Sequence, residues 1–205
     1  MSRRTIAAFD FDGTMTRRDT LVPFLVQVAG RGPVVSALAV EAPRLAYAAT
    51  GQGDRDRAKT RVLRRVLAGR DHAEVSAAGR TFGAELARSA ISTQARDRVA
   101  WHRRAGHEVA IVSASLDVYL VEVAEQLGVG HVLCTSLDVD AAGRCTGRLR
   151  GGNCRGAEKA ARLQTLFDGD DVELWAYGNS GGDEEMLRLA QHPVRVRRGN
   201  IRAPR

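Results

Sequence analysis

The chain has 205 residues, 44% of them apolar and 27% charged, with a formal net charge of +7 at pH 7 and a pI near 10.1. That length buries a full core and suits one domain with a sizeable insertion, and the composition excludes a disordered chain. Of the 31 basic residues only Lys59 and Lys159 are lysine, and the charge is spread along the chain, densest at Arg195, Arg197, Arg198, Arg202 and Arg205. The basic balance therefore reads first as solvated surface and next as affinity for an anionic substrate, with no nucleic-acid partner expected.

Thr5 to Phe9 is a short apolar run ending at a carboxylate and a glycine turn, which predicts a buried strand feeding a loop. From about Thr16 to Ile91 the patterns are helical. Leu21, Phe24, Leu25 and Val28 share one face, and Val35, Leu38, Ala39, Ala42 and Leu45 form a second stripe after the Gly30–Pro33 break. Ala58, Val62, Leu63, Val66 and Leu67 make a third, and Asp71 is expected to cap a fourth helix running toward Arg88. Pro43 is expected to kink or split the second helix.

Strands and helices then alternate. Helices are predicted over Thr93–Ala105, Leu116–Leu127, Arg155–Phe167 and Asp183–Ala190. Strands are predicted over His107–Val112, His131–Thr135, Val172–Tyr177 and Pro193–Val196, with a hairpin between Leu137 and Leu149 turning at Ala141-Ala142-Gly143. The fold class is α/β: a Rossmann-like, doubly wound, mostly parallel sheet with right-handed crossovers and a helical insertion after the first strand. No internal repeat is present.

Cys134, Cys145 and Cys154 form no CxxC pair and have no histidine at ligand spacing, so they read as reduced thiols. Ser2-Arg3-Arg4 resembles a twin-arginine signal only superficially, because Asp10 and Asp12 interrupt the short apolar run that follows. No stretch approaches the ~20 uninterrupted apolar residues of a membrane span. The expected location is cytoplasmic.

In open parallel sheets ligands bind beyond the carboxyl ends of the strands. The first strand ends in Asp10 and Asp12, another in Ser113, and a third in Gly178-Asn179-Ser180, with Asp183 opening the next helix. One carboxylate of the Asp10/Asp12 pair suits covalent attack and the other proton transfer. Asp10 with oxygen groups of the Gly178 loop suits Mg²⁺, and Gly13 and Thr14 let backbone N–H groups approach phosphate oxygens. Taken alone, the loop also reads as a surface Asx-turn.

Four ordered motifs remove that alternative: Asp10-Phe11-Asp12-Gly13-Thr14, Val112-Ser113-Ala114-Ser115, Lys159 within Gly156-Ala157-Glu158-Lys159, and Tyr177-Gly178-Asn179-Ser180-Gly181-Gly182-Asp183. In this order the chain resembles the haloacid dehalogenase superfamily, in its phosphoserine phosphatase-like branch. The resemblance implies Asp10 as nucleophile, Asp12 as acid/base, Ser113 as a phosphoryl hydrogen-bond partner and Lys159 as the cation balancing carboxylates and phosphate. Gly13, Thr14 and Ala114 would border the substrate, and Asp10, Asp12, Asn179 and Asp183 would serve Mg²⁺. Asn179 departs from the aspartate usual there, which predicts weaker metal binding. Asp12 argues against dehalogenation, which needs no proton donor at that position. Ser113 also suits a cap on the following helix, and Lys159 a solvent-exposed helix position.

The same resemblance makes residues 16–91 a helical cap of C1 type on a core of residues 1–15 and 92–205. Asp19 falls where phosphoserine phosphatases carry a glutamate for the substrate amine, although a plain helix N-terminal acid explains it equally. Lys59 borders the apolar stripe of the third helix, among Arg55, Arg57, Arg61, Arg64 and Arg65. The implied activity is hydrolysis of a small-molecule phosphomonoester by a monomer or homodimer. The alternatives are a lipid-phosphate phosphatase making peripheral membrane contact through the apolar Leu21–Thr50 region, and a phosphate-binding protein without turnover.

Overall fold

The computed structural model describes residues 4–50 and 54–201; Ser2, Arg3, Arg202 and Arg205 lie outside them. Strand β1 (Arg4–Phe9) is followed by the tight Phe11–Met15 loop and four helices, α1 (Leu21–Ala29), α2 (Arg31–Ala49), α3 (Arg55–Leu67) and α4 (His72–Ser89). Then come α5 (Thr93–Arg104), β2 (Glu108–Leu116), α6 (Asp117–Leu127), β3 (His131–Val139), β4 (Cys145–Arg150), α7 (Ala157–Phe167), β5 (Val172–Gly178), α8 (Glu184–Leu189) and β6 (His192–Arg195).

The six strands form one sheet in the order β4-β3-β2-β1-β5-β6, parallel except for the β3–β4 hairpin. From the central β1 the chain winds outward through β2 and β3, then crosses back to β5 and β6. The winding therefore reverses between β1 and β5, which is where such sheets open a ligand crevice. Alternate residues of the inner strands fill two cores. Ala7, Phe9, Ile111 and Tyr177 pack on one face, and Ile6, Ala8, Ala110, Val112, Leu174 and Ala176 on the other. Strands buried on both faces read as continuous apolar runs, which makes their starts legible. β2 and β3 each run four residues past the predicted ends at Val112 and Thr135, because Ser113, Ser115 and Ser136 break the apolar run without ending the strand.

Asp71 caps α4 as expected, accepting from the N–H groups of Ala73 and Glu74 at 2.7 and 3.3 Å. Asp54 caps α3 in the same way. In α2 the helix is not split: it continues through Pro43, which like Ala39 one turn earlier lies on the exposed side. The expected apolar stripe does not face the core. The buried residues of α2 are Val34, Ala37, Glu41 and Ala48, while Val35 is 63% exposed. The helix is rotated from the apolar stripe, and Glu41, 1% exposed, faces Arg65 Nε of α3 at 2.9 Å; Arg44, on the same helix, meets its other oxygen at 3.3 Å. No helix among the described residues is long and apolar enough to cross a membrane.

Candidate active site

The Asp10 amide donates to the carbonyl of Tyr177 at 2.9 Å, so the loops after β1 and β5 leave the sheet side by side. Asp10 is 6% exposed. One carboxylate oxygen accepts from Lys159 Nζ at 2.6 Å and the other from Thr14 Oγ1 at 2.9 Å. The same ammonium donates to Asp183 Oδ1 at 2.6 Å. The second oxygen of Asp183 accepts from the Asn179 and Ser180 amides and from Ser180 Oγ, at 2.9 to 3.1 Å.

Two buried carboxylates thus share one buried ammonium, which leaves an excess negative charge. Burial pushes the Asp10 carboxyl up against the pull of Lys159. Burial also opposes ionisation of Asp183, but Lys159 and Ser180 outweigh it and hold that carboxyl below its usual range. Lys159 itself stays charged, since its two carboxylates overcome the cost of burial. The solvent-exposed Lys159 of the bland reading is excluded.

A buried uncompensated charge is normally relieved by a counter-ion, and the side-chain donors at this point are all oxygens, as Mg²⁺ requires. Among the described residues no three His, Cys, Asp or Glu side chains are grouped so that they alone could hold a metal ion. A cation here would rest on Asp10 and Asp183, with amide and main-chain oxygens completing its shell. Asn179 belongs to this place: its carboxamide packs on Gly13, whose φ is 79°, and a Cβ on Gly13 would stand 2.0 Å from Asn179 Nδ2. The positive φ favours glycine there, and any larger residue would also displace the Asn179 carboxamide.

Asp12 faces away from that group. Its oxygens accept from Thr20 Oγ1 at 2.8 Å and Ser115 Oγ at 2.6 Å, and Tyr119 Oη lies 3.2 Å from Thr20 Oγ1. Both of its oxygens thus accept from hydroxyls, as both oxygens of Asp10 and Asp183 accept from their own donors. Burial, and then the charge of Asp19, push its carboxyl up to about 7, where both protonation states are populated near neutrality.

Ser113 is 1% exposed, and its Oγ accepts from the Ser115 amide at 3.1 Å rather than capping α6. β2 runs past it to Leu116 with an irregular register against β3, so Ser113 and Ser115 project at the strand end. Thr14 is fully buried and its hydroxyl serves Asp10. The Gly13 amide donates to Thr16 Oγ1 at 3.3 Å. Asp19 is exposed and accepts from the Leu21 amide at 3.0 Å, as a helix-start acid does. Lys59 Nζ donates to the Ala114 carbonyl and, at 2.7 Å, to Asn153 Oδ1. Burial draws Lys59 down to about 8 against the pull of Asp12, Asp56 and Asp19.

Thr20, Tyr119 and Asn153 were not anticipated. Ser115 stood inside a quoted motif without a role, although the two-residue alternation of a strand places it with Ser113.

These features define a hydrolase class. The family described as haloacid dehalogenase-like hydrolase matches residues 7–188, and the chain belongs to it, in the phosphoserine phosphatase-like branch, as a phosphatase. Among similar proteins, CicA of Caulobacter vibrioides is 35% identical over 196 residues, covering 95% of this chain and 87% of that protein. A probable phosphatase of Mycobacterium tuberculosis is 29% identical over 198 residues, covering 92% and 67%. A Bordetella pertussis protein of unknown function superimposes with a TM-score of 0.81 at 25% identity, covering 95% of this chain and 90% of the other. A substrate-bound phosphoserine phosphatase shares the fold, with a TM-score of 0.66 at 17% identity over 93% and 84% of the chains.

Proposed function

We propose that the protein is a Mg²⁺-dependent phosphomonoesterase of small phosphorylated metabolites, working through an aspartyl-phosphate. The observation that carries this is the division of labour between two neighbouring carboxyls. Asp10 is aligned by Lys159 and Thr14, and Asp12, two residues on, is held apart by Thr20 and Ser115 and poised near 7. An Asp10 oxygen attacks phosphorus as the bond to the leaving oxygen breaks, and protonated Asp12 gives its proton to that oxygen. Asp12, now ionised, takes a proton from water as the water attacks phosphorus, releasing Asp10 and inorganic phosphate. Ser113 and Lys159 would hold the phosphoryl oxygens.

Mg²⁺, held by Asp10, Asp183 and Asn179, would supply charge neutralisation for the incoming phosphate. With Asn for Asp at 179 its affinity is expected to be modest. Residues 16–91 would act as the cap over the core of residues 1–15 and 92–205, with Lys59 and Asp19 facing the substrate. Three buried, unpaired cysteines suit a reducing, cytoplasmic setting. Hydrolysis of p-nitrophenyl phosphate with Mg²⁺, abolished by Asp10→Asn, tests the reading. Inactivity with Mg²⁺, Mn²⁺ and Co²⁺ across a broad phosphate panel would overturn it.

A second reading, a phosphorylated lipid as substrate, draws on Val35, Val40 and Tyr47, which are 63, 48 and 56% exposed on α2. Liposome sedimentation separates the two, and no binding counts against the lipid.

A further inference from the structure

Between α3 and the β3–β4 hairpin the surface opens into a cleft of about 500 Å³ lined by Asp56, Arg57, Arg61, Arg64, Arg148 and Asn153, among others. That volume lies in the range of small-molecule sites. Arg57, Arg61 and Arg64 follow one another at helical spacings of four and three, an arrangement in which like charges repel. Arg57 is relieved by Asp54 at 3.1 Å, and Arg65, alongside, by Glu41. Arg61, Arg64 and Arg148 make no ion pair with any described carboxylate.

The hairpin brings Arg148 to the helix through Gly147. Its φ is 75°, and a Cβ there would stand 2.6 Å from the Arg64 Cα, so any larger residue would hold β4 away from α3. At its inner end the cleft meets the active-site wall. Asn153 donates to Asp56 at 2.7 Å and accepts from Lys59, and Lys59 donates to the carbonyl of Ala114, between Ser113 and Ser115. Arginine as such says little in a chain with two lysines among 31 basic residues. The informative facts are the concavity, the arginines that lack a direct ion pair (Arg61 feels Glu41 only at longer range), and a position one side chain from the end of β2 that holds Asp12.

We infer that this cleft is a second-anion subsite, taking a second phosphate carried on the leaving group. The preferred substrate is then a bis-phosphorylated compound rather than a simple monoester. This rests on the phosphatase reading and narrows its substrate class. Planar guanidinium groups meet phosphate oxygens in paired hydrogen bonds, so two or three converging arginines suffice to fix one phosphate.

The test reads binding without turnover. Asp10→Asn protein is titrated calorimetrically with α,ω-alkanediol bisphosphates of increasing length and with the matching alkyl monophosphates, at fixed ionic strength. A bisphosphate of one preferred length should bind at least about tenfold tighter than its monophosphate. Arg61→Ser with Arg148→Ser, both exposed positions, should remove that margin. Arg88→Ser, an equal charge loss at an exposed position on α4, should leave it. A margin that is absent, independent of chain length, or unchanged by the paired substitution overturns the subsite in favour of a diffuse basic surface. Failure of the wild-type protein to hydrolyse any phosphomonoester would overturn the phosphatase reading alone.

Discussion

Ser115 Oγ donates to Asp12 Oδ2 at 2.6 Å, tying the end of β2 to the loop after β1. Thr20, entering α1, donates to the other oxygen, so the Asp12 carboxyl is oriented from two elements at once. A hydrogen bond to the ionised form favours it, and removing the Ser115 hydroxyl should let Asp12 hold its proton to higher pH. In Ser115→Ala, the alkaline limb of kcat/KM for an alkyl phosphate, whose poor leaving group needs the Asp12 proton, should move upward. kcat should fall on the order of tenfold. A pH-rate profile decides it. A fall in kcat with an unmoved limb would leave Ser115 a purely structural part.

Asp12 should also cost the protein stability. Its carboxyl, pushed up to about 7 by burial and Asp19, titrates near 3.9 in an unfolded chain. Between about pH 4 and pH 7 the folded state therefore binds more protons, so this group's contribution is greatest in acid and is lost as the pH rises. Asp12→Asn should gain on the order of 2–4 kcal/mol over wild type at pH 8, with the gain vanishing near pH 4, while turnover is lost. Urea unfolding at the two pH values measures it. An equal effect at both would mean that Asp12 is not strained by ionisation.

The parts of this site that were legible in the sequence are those whose chemistry is unusual at a strand end. Asp10, Asp12 and Ser113 close apolar runs, Asp183 follows the glycine-rich turn after another, and Lys159 stands out in a chain nearly without lysine. Their supporting partners were not legible, because Thr20, Tyr119 and Asn153 are ordinary polar residues brought in by packing between distant segments. The α2 error has a different origin. Apolar periodicity cannot see that a carboxylate will be buried, and Glu41 faces inward toward Arg65 of α3. The sheet order was readable only as a class, since alternation of strands and helices does not say on which side of β1 each crossover lands.

Phe24 of α1, Phe82 of α4 and Tyr119 of α6 meet with ring centroids 5.0 to 5.6 Å apart. Phe24 is fully buried, and the hydroxyl of Tyr119 continues to Thr20 and so to Asp12. Phe24→Ala removes a core ring and leaves a cavity, costing about 3–5 kcal/mol. The urea midpoint should drop accordingly, and kcat should fall because the Thr20 support of Asp12 loosens. Phe24→Leu, which keeps most of the volume, should restore most of both. Restored stability without restored kcat would separate the aromatic cluster from the site.

At Asn179 the question is charge. Asp10 and Asp183 against Lys159 leave one excess negative charge, and a divalent cation reverses that sign. Asn179→Asp adds a carboxylate at an exposed position beside Gly13 and next to the buried Asp183, so the metal-free variant should be slightly less stable than wild type through solvent-screened repulsion with Asp183 and Asp10. Mg²⁺ should then bind about tenfold tighter, a gain of about 1.4 kcal/mol, and the Mg²⁺-induced rise in Tm should exceed that of wild type by the linkage of binding to folding. Thermal unfolding with and without Mg²⁺ reads both signs without reference to turnover. Metal-free destabilisation with an unchanged Mg²⁺ increment would place the side chain at residue 179 near the cation's field but outside its coordination shell.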